Sequence, residues 1–367
     1  MASVESAALF CPSPDYATAR GRFRRAAEVA GGAARAYVNP RRGPHGEELA
    51  TDTAWFGPEE ARHVLVLVSG VHGAEGFCGS AAQLDWLHEG GPSHLPPGVG
   101  ALLVHGLNCH GFAWLRRVTE ENVDLNRNFV DFTQSLPVNA GYAELHDALV
   151  LASLDSGAVA RAEGVIAAFR DKHGPRALQQ ARSGGQYTHP NGVFFGGQAP
   201  TWARRTLEAI IADYRLPQRE SVATVDFHTG LGPFGYGEPI NTHARHHPAT
   251  ARMHAWLGDS VTDMDSGTSS STPVVGATTM AWERACGNRV TLIALEYGTY
   301  SMDSGRAAMR SDHWLHNQPQ IDWNNPETQR IKAMIRRQYN PDTPDWWEQV
   351  LFRSRQIIRQ TTAGLAG

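Results

Sequence analysis

Four short runs constrain this chain more than anything else in it: HVLVLV (63–68), ALLVHG (101–106), VATVDFH (222–228) and VTLIALE (290–296). Each is apolar almost throughout and rich in β-branched residues, the pattern of a strand buried on both faces. Stretches of helical character separate them, among them SAAQLDWLHE (80–89), AELHDALVLASL (143–154) and TWARRTLEAIIADY (201–214). Strands alternating with helices predict an α/β fold around a mixed, largely parallel central sheet flanked by helices. YATARGRFRRAAEVA (16–30) reads as an earlier helix stopped at Gly31-Gly32, and ELATDTAWFG (48–57) as an early strand. Residues 1–367 are expected to form a single domain. Within it, 131–200 reads as an inserted cap and 303–367 as a C-terminal helical layer whose tryptophans pack on the core.

Composition narrows the function. A net charge of −4 gives no general affinity for nucleic acid or an anionic membrane. Nearly all the basic residues are arginine, so anion recognition is expected to be bidentate, through guanidinium. Cys11, Cys78, Cys109 and Cys286 are scattered without a CxxC pair, which argues against disulfides and cysteine-rich zinc sites. No basic n-region opens the sequence and no run approaches a membrane span, so a cytoplasmic protein is the expectation.

In open α/β sheets ligands collect beyond the carboxyl ends of strands. His72 and Glu75 lie in the glycine-rich bend SGVHGAEG after the first run, His228 ends the third run and Glu296 ends the fourth. Two histidines and a glutamate offer one Zn²⁺ per chain three ligands and leave a fourth position for water. Gly70, Gly73 and Gly76 let the bend aim two side chains at one ion. Glu296 is the natural base. Asp226 shares a strand face with His228, because side chains alternate, and is placed to support it.

LRRVTEENVDLNRNF (115–129) extends the set. Asn126-Arg127 within it resembles the carboxylate clamp of the zinc carboxypeptidases and the related aspartoacylase and succinylglutamate desuccinylase enzymes. The order His72, Glu75, Asn126, Arg127, His228, Glu296 is that family's order, and the resemblance spans Val64 to Thr299. GFAWLRRVTEENVDLNRNF and LEYGTY are similar to a bacterial carboxypeptidase-like group of unassigned substrate. The resemblance implies a three-layer sandwich of the phosphorylase/hydrolase type. It makes His72, Glu75 and His228 zinc ligands and Glu296 the general base and later proton donor. Arg127 and Asn126 would hold a substrate carboxylate. Arg116 or Arg117, with Arg117 preferred, would stabilise the oxyanion. Asp124 would orient His72. A tyrosine would touch substrate, with Tyr236, Tyr297 and Tyr300 as candidates.

The implied partner is a small molecule or short peptide with a free carboxylate, not nucleic acid or membrane; a homo-oligomer is compatible with all of this. Carboxypeptidase-like cleavage is the leading reading, and an N-acyl amino acid amidohydrolase is the alternative. A non-catalytic zinc or ligand binder is the third, disfavoured because it has no use for a carboxylate such as Glu296 at the end of an apolar strand. Three other features read as structural. His243, His246 and His247 form a surface loop with no carboxylate near. Asp312, His313 and His316 form a solvated or capping face. Cys78 in GFCGS lies too late in the bend for a nucleophile elbow.

Overall fold

The computed structural model describes residues 3–367. One eight-stranded mixed sheet organises them: β1 Ala33–Arg42, β2 Glu48–Phe56, β3 His63–Val68, β4 Val99–His105, β5 Ser221–Phe234, β6 Gly237–Asn241, β7 Thr262–Asp263 and β8 Val290–Gly298. Their order is β1-β2-β4-β3-β5-β8-β6-β7. The four apolar runs are the adjacent central strands β4, β3, β5 and β8, all parallel. β2 and β1 extend one side antiparallel, while β6 joins β8 antiparallel and β7 joins β6 parallel on the other. Sequence patterning announces none of β1, β6 and β7. β1 is mostly exposed, β6 contains glycine and proline, and β7 has two residues.

Alternation along the strands divides the core. Leu65, Leu67, Phe227, Leu295 and Tyr297 face the helices Tyr16–Val29, Gly76–His88, Pro248–Leu257 and Pro344–Ala366. Val64, Val66, Val68, Val222 and Leu292 face the helices Trp202–Asp213 and Thr279–Cys286. Asp226, His228 and Glu296 have the parity of the second set, so their side chains leave the sheet on that face.

Residues 131–200 hold the helices Ala140–Leu149, Ser156–His173 and Pro175–Ser183. These bury a small cluster of their own, with Tyr142, Leu145, Ile166, Phe169 and Leu178 at its centre. The first of them stops before the predicted 154, because Val150 is already extended. The C-terminal helices are Met302–His316, Pro326–Tyr339 and Pro344–Ala366. Trp346 and Trp347 are buried in the main core, and the Trp346 indole donates to the Gly298 carbonyl at 2.9 Å. No described helix is long and apolar enough to cross a membrane.

Candidate active site

The bend after β3 is built by close approach. Gly70 has φ +73°, and a Cβ on Gly73 would lie 2.0 Å from the carbonyl carbon of Gly111. The Gly73 and Ala74 amides donate to the carbonyls of Arg117 and Arg116 at 3.2 and 2.8 Å, which locks the bend to the 116–117 loop. β5, paired directly with β3, brings His228 alongside. The ligand atoms of His72, Glu75 and His228 all lie within 4.8 Å of one another.

Both rings are turned the same way. His72 Nδ1 lies 3.0 Å from Glu75 Oε1, buried and without a hydrogen bond, while Nε2 is 3.2 Å from Asp124 Oδ1. His228 Nδ1 lies 3.1 Å from Glu75 Oε2, and its Nε2 is 3.1 Å from Asp226 Oδ2. His228 thus gives its far nitrogen to a carboxylate, His72 Nε2 lies between Asp124 and the Arg117 guanidinium, whose Nη2 is 2.9 Å away, and both Nδ1 atoms face Glu75. The donor set and the orphaned Nδ1 fit a tetrahedral divalent ion, and Zn²⁺ accepts this mixture of nitrogen and oxygen.

The field matches. Burial alone would raise the Glu75 carboxyl, but the His72 and Arg117 charges and a hydrogen bond from His228 hold it well below the usual range. Asp124 is likewise held well below, with Arg117, Arg127 and His72 outweighing burial. His228 is drawn well above its ordinary value, because Asp226 and Glu75 overcome the opposing effect of burial. Glu296, level with His228 in the β5–β8 register, goes the other way. Enclosure and the nearby Glu75 charge push it up to about 8, although the Leu231 amide donates to its Oε1 at 3.0 Å. Two neighbouring carboxyls are therefore driven apart, as acid–base chemistry near neutral pH needs.

His72, Asp226, His228, Glu296, Arg117, Asn126 and Arg127 line one cavity of about 380 Å³. Asn126 Oδ1 accepts from the Thr278 amide at 2.9 Å, which leaves its Nδ2 donor without a protein partner. Arg127 is buried. It donates to the Asn126 and Ser183 carbonyls at 3.0 and 2.7 Å, and its Nε has no partner. Two of five guanidinium donors are thus used, and Nη1 also stands 3.9 Å from the Asp124 carboxylate. Burial lowers Arg127 from its usual value, so a bound carboxylate would meet a poorly solvated charge.

Several expectations are corrected. Arg116 does not reach the site: it pairs with Asp312 at 3.1 Å and Asn122 at 3.0 Å on the far side of its loop. Arg117 does reach it, donating to Glu75 at 2.6 Å and Asp124 at 3.2 Å. Tyr297 follows Glu296 on β8 and so points through the opposite face, where its hydroxyl meets the Val350 carbonyl at 3.1 Å and Ser354 at 2.7 Å. Tyr236 is 45% exposed at the β5–β6 turn and lines no part of the cavity. Tyr300 lies under the Arg337 guanidinium.

Asp312 and His313 are buried rather than solvated. His243 is buried too, and a carboxylate is near it: Nδ1 is 2.6 Å from Glu283, while Nε2 accepts from the Leu292 amide at 2.8 Å. With Nε2 accepting, Nδ1 carries the proton, so this ring bridges two elements and has no lone pair to give. Cys78 is buried, and burial holds its thiol well above the ordinary value.

Two residues went unnoticed in the sequence. Tyr339, from the helix Pro326–Tyr339, lines the cavity against Arg117, and burial pushes its hydroxyl up to about 12. Phe194, from the inserted segment, lies 5.6 Å from both the Arg117 and the Arg127 guanidinium carbons. Neither belongs to a strand-end motif, so no local signal marks them.

Among solved structures, carboxypeptidase A from Helicoverpa armigera superposes with a TM-score of 0.50 at 13% identity, over 96% of this chain and 73% of that one. The chain therefore has the carboxypeptidase fold. A succinylglutamate desuccinylase from Chromobacterium violaceum is 16% identical over 90% of this chain and 76% of that one, with a TM-score of 0.37. A glutaminyl cyclase from Fimbriiglobus ruber is 11% identical over 99% and 92%, with a TM-score of 0.42. No curated protein matches the sequence. Residues 10–353 match the family described as "Protein of unknown function (DUF2817)", and the chain belongs to that family.

Proposed function

We propose that this chain is a zinc-dependent hydrolase that cleaves an amide or peptide bond next to a free carboxylate. One observation carries the reading: a convergent His72–Glu75–His228 set shares its cavity with an enclosed Glu296 and with the free donors of Asn126 and Arg127. His72, Glu75 and His228 would hold the ion, which when bound makes water a usable nucleophile near neutral pH and polarises the carbonyl. Arg127 and Asn126 bind the substrate carboxylate and so fix which bond is presented. Glu296 takes a proton from the attacking water and delivers it to the leaving nitrogen. Arg117, with Tyr339 beside it, faces the developing oxyanion.

Within this class a small N-acyl amino acid is favoured over a long peptide. The inserted helix Pro175–Ser183 roofs the cavity with Pro175, Leu178, Gln179 and Arg182. A roofed space of about 380 Å³ suits a compact substrate. The test is metal content followed by a screen of N-acyl amino acids and peptides, before and after stripping the ion. Zinc-dependent turnover of carboxylate-bearing amides is expected. Undiminished activity after stripping ends the hydrolase reading, and faster turnover of peptides of four or more residues ends the small-substrate form.

A further inference from the structure

Asn126 and Arg127 stand on a single tight turn, Leu125–Arg127, with irregular chain on both sides. So short a turn does not hold its own shape. What holds it lies 56 to 71 residues further along the chain.

The segment 183–199 grips the turn along its length. The Phe195 carbonyl accepts from the Asp124 amide at 2.8 Å. The Ser183 carbonyl accepts from Arg127 Nη2 at 2.7 Å, and the Tyr187 hydroxyl donates to the Arg127 carbonyl at 2.6 Å. The Gly196 and Ala199 carbonyls accept from Asn128 Nδ2 at 2.8 and 3.0 Å. The segment is cross-linked where it does this. The Gln186 amide donates to the Phe194 carbonyl at 3.1 Å, and the Gly196 amide donates back to Gln186 at 2.8 Å. Asn139 Nδ2 donates to the Gly185 carbonyl at 2.9 Å.

Two positions bear on Arg127 in particular. Gly185 has φ +99°, and a Cβ there would lie 2.7 Å from Arg127 Cδ and 3.2 Å from its Nε. A glycine thus leaves the guanidinium stem its room. Tyr187 is buried with its ring against Gly196, where a Cβ would meet it at 2.2 Å, so packing aims its hydroxyl. The carbonyl it holds is closely packed as well, since a Cβ on Gly276 would lie 2.4 Å from that oxygen. Neither Gly185 nor Tyr187 lines the cavity, so both act through Arg127. A guanidinium recognises a carboxylate by directed, planar hydrogen bonds, and a small shift of its stem weakens the binding of acids far more than of amides.

We propose that Tyr187 and Gly185 are positioning residues for the carboxylate clamp: they hold Arg127 in the place from which it binds the substrate carboxylate, so a segment outside the strand-end site sets the preference for acids. This rests on the hydrolase reading above, which gives Arg127 that role.

Calorimetry on zinc-loaded protein carrying Glu296→Gln, which blocks turnover, tests it with N-acetyl-leucine and N-acetyl-leucinamide. The acid should bind roughly tenfold or more tighter than the amide. Adding Tyr187→Phe, which keeps the ring, should cut that ratio by about three- to tenfold, and Gly185→Ala should bring it near one. Zinc content and the affinity for the amide should stay at the parent's values. A ratio that survives in either folded variant overturns the inference and leaves the hydrolase reading standing. Equal loss of acid and amide binding, or loss of zinc, in Tyr187→Phe also overturns it, because general damage to the fold does that. Should Gly185→Ala not fold, Tyr187→Phe decides. A parent that binds neither ligand, or both alike, removes the role of Arg127 and this inference with it.

Discussion

At the scale of single residues, the site works by contrast between neighbours. Glu75 and Glu296 act on each other, yet cationic partners surround the first while the second is enclosed beside a negative charge. Glu296→Gln should keep the bound zinc and lose about 10²–10⁴-fold in turnover, read from metal analysis beside steady-state kinetics. Asp226 acts through His228, 3.1 Å away. Asp226→Asn should weaken zinc binding by about 10–100-fold in competition with a chelator, because it unfixes the ring that ligates. Tyr297 marks where a residue-level reading goes astray. Its neighbour Glu296 faces the site, so strict alternation sends Tyr297 through the sheet.

At the scale of elements, the His-x-x-Glu bend depends on a strut that no motif shows. Arg116, the neighbour of the useful arginine, ties the 116–117 loop to Asp312, and Asp312 also takes Lys332 at 2.6 Å. The bend hangs from the carbonyls of that loop. Asp312→Ala leaves two buried cations without their counter-charge. It should cost about 3–5 kcal/mol in urea unfolding and weaken zinc binding as well. The central strands and the polar residues gathered at their ends were legible because an apolar run with a polar residue at its carboxyl end is a local pattern. The β6 strand, the strut and the inserted helix on the cavity wall were not. Each is defined by what packs against it from elsewhere in the chain.

At the scale of the molecule, stability is linked to pH and to metal. His105 is buried under Phe23, with ring centroids 4.6 Å apart, and burial together with the Arg20 charge lowers it to about 3. Its folded value lies below the unfolded value of about 6.5, so between the two the unfolded chain binds the extra proton and stability falls as pH falls. His105→Phe should remove up to one proton from that dependence. Unfolding free energy would then decline less steeply between about pH 6.5 and 3, by as much as ~1.4 kcal/mol per pH unit. On the proposed function zinc would bind only the assembled site, so chelation should lower the melting temperature. Readdition at about 100 times the dissociation constant should restore ~2.7 kcal/mol.

The sequence alone determined the α/β class, the parallel heart of the sheet, and the convergence of His72, His228 and Glu296 at its strand ends, because strand periodicity and strand-end chemistry are properties of a few consecutive residues. Only the tertiary structure decided which of two adjacent arginines enters the site, that Tyr339 rather than Tyr236 or Tyr297 lines the cavity, and that an inserted helix places Arg182 on its wall. Those choices turn on which face of an element is covered and by what. That is settled by packing between segments more than a hundred residues apart, as between Arg116 and Asp312.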